Sequence, residues 1–596
     1  MTPAKRALLV TALALALAHA SLAYSSSFDL DAFDSAELAL VAVNAGLGHP
    51  PSQPAHTMLG WLVTRGPWSP LAALAWLSIA PAVLSLWFAL RTFGRRDASV
   101  TRALVVGAVL VVMVGLGPLR AVATRVEVYA LAALFAMGAM VLTREHRDSP
   151  RALAGAALLW GLAGATNPVM AAQAAWGVLA PIAHARRWVS ALLVSLGAIG
   201  ASLASYAYAF AARARETETL VWSAPSDLRG LWALLTARDF ARNVSLNAAT
   251  WLSNALWFVA DLLRSGVGVA VALALFGLAK KQDDERDPWL GALAFSTVVG
   301  IAMVAANVPY RAANPDYGGY ILISCALAAA GIARLVLAAS DRSQRAASVG
   351  LLVIGALLAR DDGRSSRATR AIATRAIEAA PRGAIVVLSS DHLLFPMLYL
   401  QGVEGLRRDV TVLNAGWASS RWAWQWARAS DPSLVVDLAP GRARQERLRF
   451  TLRQRAAGRA VLSEELGLLA LGADGELCPR GVLWSSSEGC DASTRSTAAT
   501  VQWIRDGAQA ARAARSVEDE RLFLYTAMAM GRAAKGLGCA GLAVRVLTAA
   551  LGEPTPSVRA CGARAERPEP VDILTVSARA AREELERTRP LLATVR

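Results

Sequence analysis

The chain has 596 residues, 55% of them hydrophobic and 18% charged, with 61 Lys and Arg against 45 Asp and Glu for a formal charge of +16. It is too apolar for a soluble enzyme of this length, and its basic residues form no stripe interleaved with aromatics, which excludes a nucleic-acid-binding protein. The apolar residues crowd into the first part, predicting a polytopic membrane domain over 1–360 and a soluble domain over 361–596.

In chain order, runs suited to crossing a bilayer are predicted over 6–24, 70–90, 103–118, 121–142, 151–166, 168–184, 188–212, 251–279, 287–306, 316–338 and 346–360. That is about 11 spans, the last short enough to lie at the interface instead. Lys5-Arg6, Arg91 with Arg95-Arg96, Arg144 with Arg147, Arg186-Arg187 and Lys280-Lys281 fall between alternate spans and mark those loops as cytoplasmic. The loops 25–69, 213–250 and 307–315 then face outside, as does everything after 360. Arg360, Arg364, Arg367, Arg370 and Arg375 pull the other way: if 346–360 does not cross, the C-terminal domain lies inside. At the N-terminus, Lys5-Arg6 followed by an apolar run to Ala18-His19-Ala20 has the form of a secretory signal. As a signal or as a first span, it leaves residue 25 onward outside.

The outer loop 25–69 carries two stretches of helical spacing, 36–46 and 55–63, with Pro50, Pro51 and Pro54 between them. These predict two short helices along the membrane surface, joined by a rigid proline turn. The second outer loop, 213–250, holds Trp222, Pro225 and Trp232 among several charges.

The C-terminal domain opens as an α/β unit: a strand over 384–388, a helix over 392–404 and a returning strand over 410–413. The runs 434–438 and 460–462 are further strand candidates, and from 497 an Ala- and Arg-rich helical pattern begins. Four of the five cysteines, Cys478, Cys490, Cys539 and Cys561, lie in this domain. An even set suits an oxidising compartment, with 478–490 and 539–561 as plausible local pairs and four buried thiols as the alternative. No metal-ligand spacing, phosphate loop or nucleophile elbow occurs in the domain.

Several polar residues sit at outer ends of the predicted spans. Asp34 and Glu37, in Asp-x-x-Glu ahead of an apolar run, read as a capping box that starts a helix at 35. The same pair suits general-base chemistry, because a low-dielectric boundary raises a carboxylate's affinity for a proton. His49, in His49-Pro50-Pro51, is a turn residue or an imidazole pinned near those carboxylates. Arg120 and Arg125 reach lipid phosphates or the phosphate of a lipid substrate, and Glu127 and Tyr129 begin a span at the outer face. Asn167-Pro168 reads as a turn, and Asp316, Tyr317 and Tyr320 are candidates for lining a pocket.

Phe33-Asp34-Ser35-Ala36-Glu37-Leu38 with Gly48-His49-Pro50-Pro51 resembles the signature of the multi-pass family that includes the protein O-mannosyltransferases of the transmembrane-protein type. In the same order, Glu127-Val128-Tyr129 resembles its Glu-Val-Tyr motif. Trp222, ahead of residues 225–240, resembles its outer-loop Trp-Gly-Asp-Pro segment. Ser390-Asp391, Tyr399-Leu400-Gln401 and Arg408-Asp409-Val410 resemble the start of its extracytoplasmic domain. The resemblance covers roughly 25–415. Ala36 and Ser52 replace family glycines, Ser223-Ala224 replaces Gly-Asp, and Asn167-Pro168 stands where many members carry Asn-His.

The resemblance implies a glycosyltransferase-C-like enzyme of a bacterial inner membrane with a periplasmic C-terminal domain. It would invert the sugar's configuration, taking the sugar (mannose among the candidates) from a polyprenyl-phosphate donor to a hydroxyl of an exported protein or glycan. The base maps onto Asp34 with Glu37 as alternate or partner. His49, Arg120, Arg125, Glu127, Tyr129, Trp222, Asp316 and Tyr320 are the substrate-binding candidates. No cofactor is expected, metal dependence is left open, and the C-terminal domain is expected to bind acceptor or a partner. The rival is a non-catalytic scaffold or transporter of the envelope. A transporter calls for interrupted helices in two related halves with polar groups near the midplane, and a scaffold for indifference to Asp34 and Glu37.

Overall fold

The computed structural model describes residues 2–94, 99–238, 240, 244–245, 247–279, 288–307, 314, 316–358, 367–436, 443–456, 458–469, 477–486, 493–554, 571 and 573–591. The expectations placed on Arg95-Arg96, Lys280-Lys281, Arg360, Arg364, Cys490 and Cys561 lie outside these residues. The chain divides into two compact units. The first comprises Met1–Phe28, Leu47–Ala212 and Pro225–Asp362; the second comprises Asp29–Gly46, Arg213–Ala224 and Gly363–Arg596.

The first unit is helical. Pro3–Ser25, Pro70–Arg91, Trp188–Arg213 and Trp289–Ala306 are long and apolar enough to cross a membrane. Leu9, Leu13 and Leu17 on the first of these, and Val189, Leu192, Leu193 and Leu196 on the third, are exposed. Water would penalise so much bare aliphatic surface, whereas acyl chains cover it. Each remaining predicted span is helical as well, though several are shorter or broken.

The expected span 251–279 is two helices, Ala248–Arg264 and Val267–Ala279, bent by 84°. Gly266 takes φ +79° at the break, the left-handed conformation that ends a helix at little cost only for glycine. The expected span 103–118 ends at Gly115 and turns by 76° into Gly117–Ala123, so the span placed at 121–142 begins at Tyr129 instead. Small residues let helices close on one another. A Cβ on Gly277 would stand 2.2 Å from the Gly331 carbonyl, and one on Gly161 2.5 Å from that of Ala198.

The stretch 25–69 carries its two helices as expected, Asp34–Asn44 and Pro54–Val63, with the cis Pro50–Pro51 peptide between them.

The second unit is built on a five-stranded sheet of order β2-β1-β3-β5-β4: β1 Ile385–Leu388, β2 Thr411–Asn414, β3 Val461–Ser463, β4 Leu477–Arg480 and β5 Leu483–Ser486. The central strand β1 is wholly buried and runs parallel to β2 and β3, which suits its unbroken Ile-Val-Val-Leu sequence. The helix Asp391–Gly402 makes the crossover to β2. Residues 434–436, expected to begin a strand, are irregular, and Leu434 instead enters the core with Val387, Leu413, Trp424 and Trp484. The hairpin β4–β5 was not predicted, since its strands are short and poor in β-branched residues; Gly481 turns it at φ +59°. The helices Ser493–Ala513, Val517–Gly536, Ala540–Leu551 and Ala578–Thr588 complete the unit. Cys478 and Cys539 are each disulfide-bonded. Cys325, buried in the helix Leu322–Leu337, is free.

Candidate active site

The helix Asp34–Asn44 opens with both acidic residues in its first turn. Asp34 is its first residue, and the residue before it, Phe33, turns in at φ +62° and supplies no side-chain cap. The expected helix start at 35, with Asp34 as cap, thus moves forward by one residue, and Asp34 takes a helical position. Residues three apart on a helix share a face, and here a carboxylate oxygen of Asp34 and one of Glu37 lie within 4.8 Å of each other. Glu37 is completely buried, while Asp34 is half-buried. The pair offers two of the oxygen ligands a divalent cation takes; it equally offers one accessible base backed by a second, enclosed carboxylate.

The helix ends at Ala45, which adopts φ +51°, followed by Gly46, whose N–H donates to the Val41 carbonyl. A Cβ on Gly46 would fall 2.3 Å from the Leu220 carbonyl. Two segments, 29–46 and 213–224, therefore meet within the second unit. Trp222 of the latter is buried against Trp417 and Trp422, with ring centroids 5.0 and 5.3 Å away. Its neighbours Ser223 and Ala224 stand at φ +61° and +36°. Ser52 is likewise at φ +78°, whereas Ala36 sits in a helix.

His49 belongs to the first unit and meets the Phe240 ring edge-on at 6.1 Å. Also in that unit, six of the other predicted residues fall on two segments that press together. Arg120, Arg125, Glu127 and Tyr129 lie on 117–129; Asp316 and Tyr320 lie on 316–320. A Cβ on Gly318 would be 2.3 Å from the Pro118 carbonyl, and one on Gly319 would strike the Tyr129 ring. Tyr129 packs edge-on against Tyr320 at 5.5 Å, and Gln173 donates to the Tyr320 carbonyl.

Ser78 Oγ and the Glu127 backbone hydrogen-bond reciprocally, fixing the start of that motif. Arg120 donates to the Leu358 carbonyl at 2.8 Å and to Ser25 Oγ, which makes it a tie between helices. Arg125 is 8% exposed. Asn167 accepts from the N–H groups of Val169 and Met170, so the Asn-Pro pair is a helix cap.

Sequence reasoning passed over three residues. His56 is fully buried, and burial drives its pKa down to about 4, so it is neutral. Its ring nitrogens find no hydrogen-bond partner among the described residues; the helical spacing over 55–63 predicts its helix, but a polar residue in that stretch carries no mark of burial. Glu464, after β3, accepts from the N–H groups of Ser389 and Ser390 and from Tyr525 Oη, and burial pushes its pKa up. Arg370 bridges Asp29 and Glu404. The only sequence signal at Arg370 was its place in a basic cluster, which read as a topology marker.

No protein-family model matches the chain, and neither does any curated protein. Among solved structures, the chain is similar to ArnT from Cupriavidus metallidurans in the apo state, at 12% identity over 80% of this chain and 97% of that one, with a TM-score of 0.36. A likeness of that degree carries no inference about chemistry.

Proposed function

We propose that the protein is a membrane glycosyltransferase that moves a sugar from a polyprenyl-phosphate donor to a hydroxyl of an exported protein or glycan. The observation that carries this reading is the carboxylate pair in the first turn of Asp34–Asn44, Asp34 half-buried and Glu37 enclosed, within 4.8 Å. The ordered run of motifs from Phe33 to Val410 supports it. A base must reach the proton it removes, so the accessible Asp34 takes the catalytic role and Glu37 orients it. Asp34 accepts the hydroxyl proton while the hydroxyl oxygen bonds to the anomeric carbon. The bond from that carbon to the lipid phosphate breaks, and the phosphate leaves with the electron pair from the opposite face, inverting the centre. In this reading an arginine, Arg120 or Arg125, holds the donor phosphate. Glu127, Tyr129, Asp316, Tyr320 and His49 are the further substrate-binding candidates, and Trp222 has a packing role.

Placement of the C-terminal domain outside the membrane is supported by the composition of the second unit. That unit joins the domain to segments of both large outer loops. Two of the basic residues that argued for the inside are used within it: Arg370 in ion pairs, and Arg375 over the Trp503 ring at 4.9 Å. The disulfides at Cys478 and Cys539 suit the same oxidising side.

The test is transfer of label from radiolabelled polyprenyl-phosphate sugars by membranes carrying the wild type, Asp34→Asn or Glu37→Gln. Removing a general base costs about 10²–10⁴ in rate, so Asp34→Asn should abolish transfer and Glu37→Gln should lower it less. Equal transfer by all three, or none across a broad donor panel, returns the pair to a structural role.

A further inference from the structure

We propose that Arg370 is a positioning residue that holds the carboxylate-bearing helix Asp34–Asn44 against the C-terminal α/β domain. The proposal rests on the reading of Asp34 as the base.

The segment 29–46 is tied to the rest of the second unit at three places. In the middle, the helix Asp34–Asn44 packs on Asp391–Gly402: the position of a Cβ on Gly402 lies 3.0 Å from Leu40 Cδ1 and 3.6 Å from Asn44 Nδ2. At its C-terminal end, Gly46 admits the Leu220 carbonyl. At its N-terminal end the tie is Arg370. Its Nε donates to Asp29 Oδ1, and its two terminal nitrogens each donate to one Glu404 oxygen at 2.8 Å. Arg370 comes from the helix Ala368–Glu378, and Glu404 follows Asp391–Gly402. One planar guanidinium therefore joins the start of the outer-loop segment to two elements of the α/β domain.

The chain between this tie and the carboxylates is short and stiff. Leu30, Asp31 and Ala32 are buried, so the position of Asp29 carries through to Asp34 and Glu37. The three clamp side chains are roughly a quarter to a third exposed. Water screens their attraction, so the clamp acts by direction more than by stability. A lysine cannot reproduce three directed donors in one plane. In this account the C-terminal domain builds the catalytic end of the enzyme, beyond any part it has in binding acceptor.

The test uses the full chain in nanodiscs, as wild type, Arg370→Ala, Arg370→Lys and Asp29→Asn. Hydrogen–deuterium exchange over residues 34–44 should quicken by about two- to fivefold in all three variants, while peptides covering β1 and β2 exchange as in the wild type. In the transfer assay kcat should fall about tenfold, with the donor KM within twofold, and the acid limb of the kcat–pH profile should shift because the base has moved. Asp29→Asn leaves the Arg370–Glu404 fork intact and so stands in if Arg370→Ala misfolds. Unchanged exchange over 34–44 in Asp29→Asn and the folded Arg370 variants overturns the clamp, whether or not the wild type transfers sugar. Faster exchange with an unchanged kcat overturns the positioning role. A wild type without transferase activity removes the reading of Asp34 as base, and exchange alone then decides the clamp.

Discussion

Trp222 is where packing and substrate binding predict opposite outcomes. The residue is 8% exposed, with two tryptophans at about van der Waals range, and one of these, Trp417, also meets Phe395 and Trp426. Trp222→Ala removes an indole from the middle of this cluster, and buried Trp→Ala changes cost about 3–5 kcal/mol. Edge-on and tilted ring pairs add about 0.5–1.5 kcal/mol each beyond area, which places the loss toward the upper half of that range. A loss of about 4 kcal/mol multiplies local opening by roughly 10³. Trp222→Phe keeps a ring in the site and should cost about a third as much. Hydrogen exchange of peptides 213–224 and 417–427 in the purified full chain reads this directly, avoiding a global unfolding constant that a two-unit protein does not define. Exchange in both peptides should accelerate strongly in Trp222→Ala and mildly in Trp222→Phe, with activity following exchange. Wild-type exchange in Trp222→Ala together with a raised donor KM would refute the packing argument and return Trp222 to the substrate.

Two other predictions concern different parts of the molecule. Gly319→Ala would put a methyl within 2.3–2.5 Å of three Tyr129 ring atoms, an overpacking of about 1–3 kcal/mol, and should shorten the half-life of thermal inactivation; an unchanged half-life would show that the two segments part easily. His392, buried edge-on against Tyr525, has its pKa pushed by burial down to about 3. The unfolded chain therefore binds the extra proton between pH 6.5 and 3, and stability falls as pH drops through that window by up to about 1.4 kcal/mol per unit. Glu464, raised by burial, contributes in the opposite sense. The clean readout is the difference between wild type and His392→Gln, whose β1 and β2 amides should lose less protection on acidification; parallel pH dependence would refute the assignment.

Much of the architecture was legible because it rests on periodicity and composition. Apolar runs became helices in register, the Ile-Val-Val-Leu strand became the sheet centre, and the proline turn separated two short helices. Where a reading missed, one residue's backbone decided. Gly266 broke an expected span with a left-handed φ that hydropathy does not sense, and Gly481 closed a hairpin whose strands carry almost no β signal. The candidate site was legible as a list of residues but not as an assembly. Asp34 and Glu37 stood out because charge is costly beside a bilayer, and six of the remaining candidates do come together on two neighbouring segments. What no periodicity shows is that the helix bearing Asp34 folds with Arg370 and Gly402, more than 300 positions later, and with the Leu220 carbonyl. Each of those contacts joins residues distant in sequence by a fork of donors or a missing Cβ, and neither leaves a local pattern. Arg370 is the sharpest case. Counted as one arginine in a basic cluster it argues for the cytoplasm; seen between Asp29 and Glu404 its charge is already matched, and it no longer bears on topology. A charge votes on sidedness only when it is left to the lipid headgroups, so the positive-inside count has to be taken after the folded domain has claimed its own pairs.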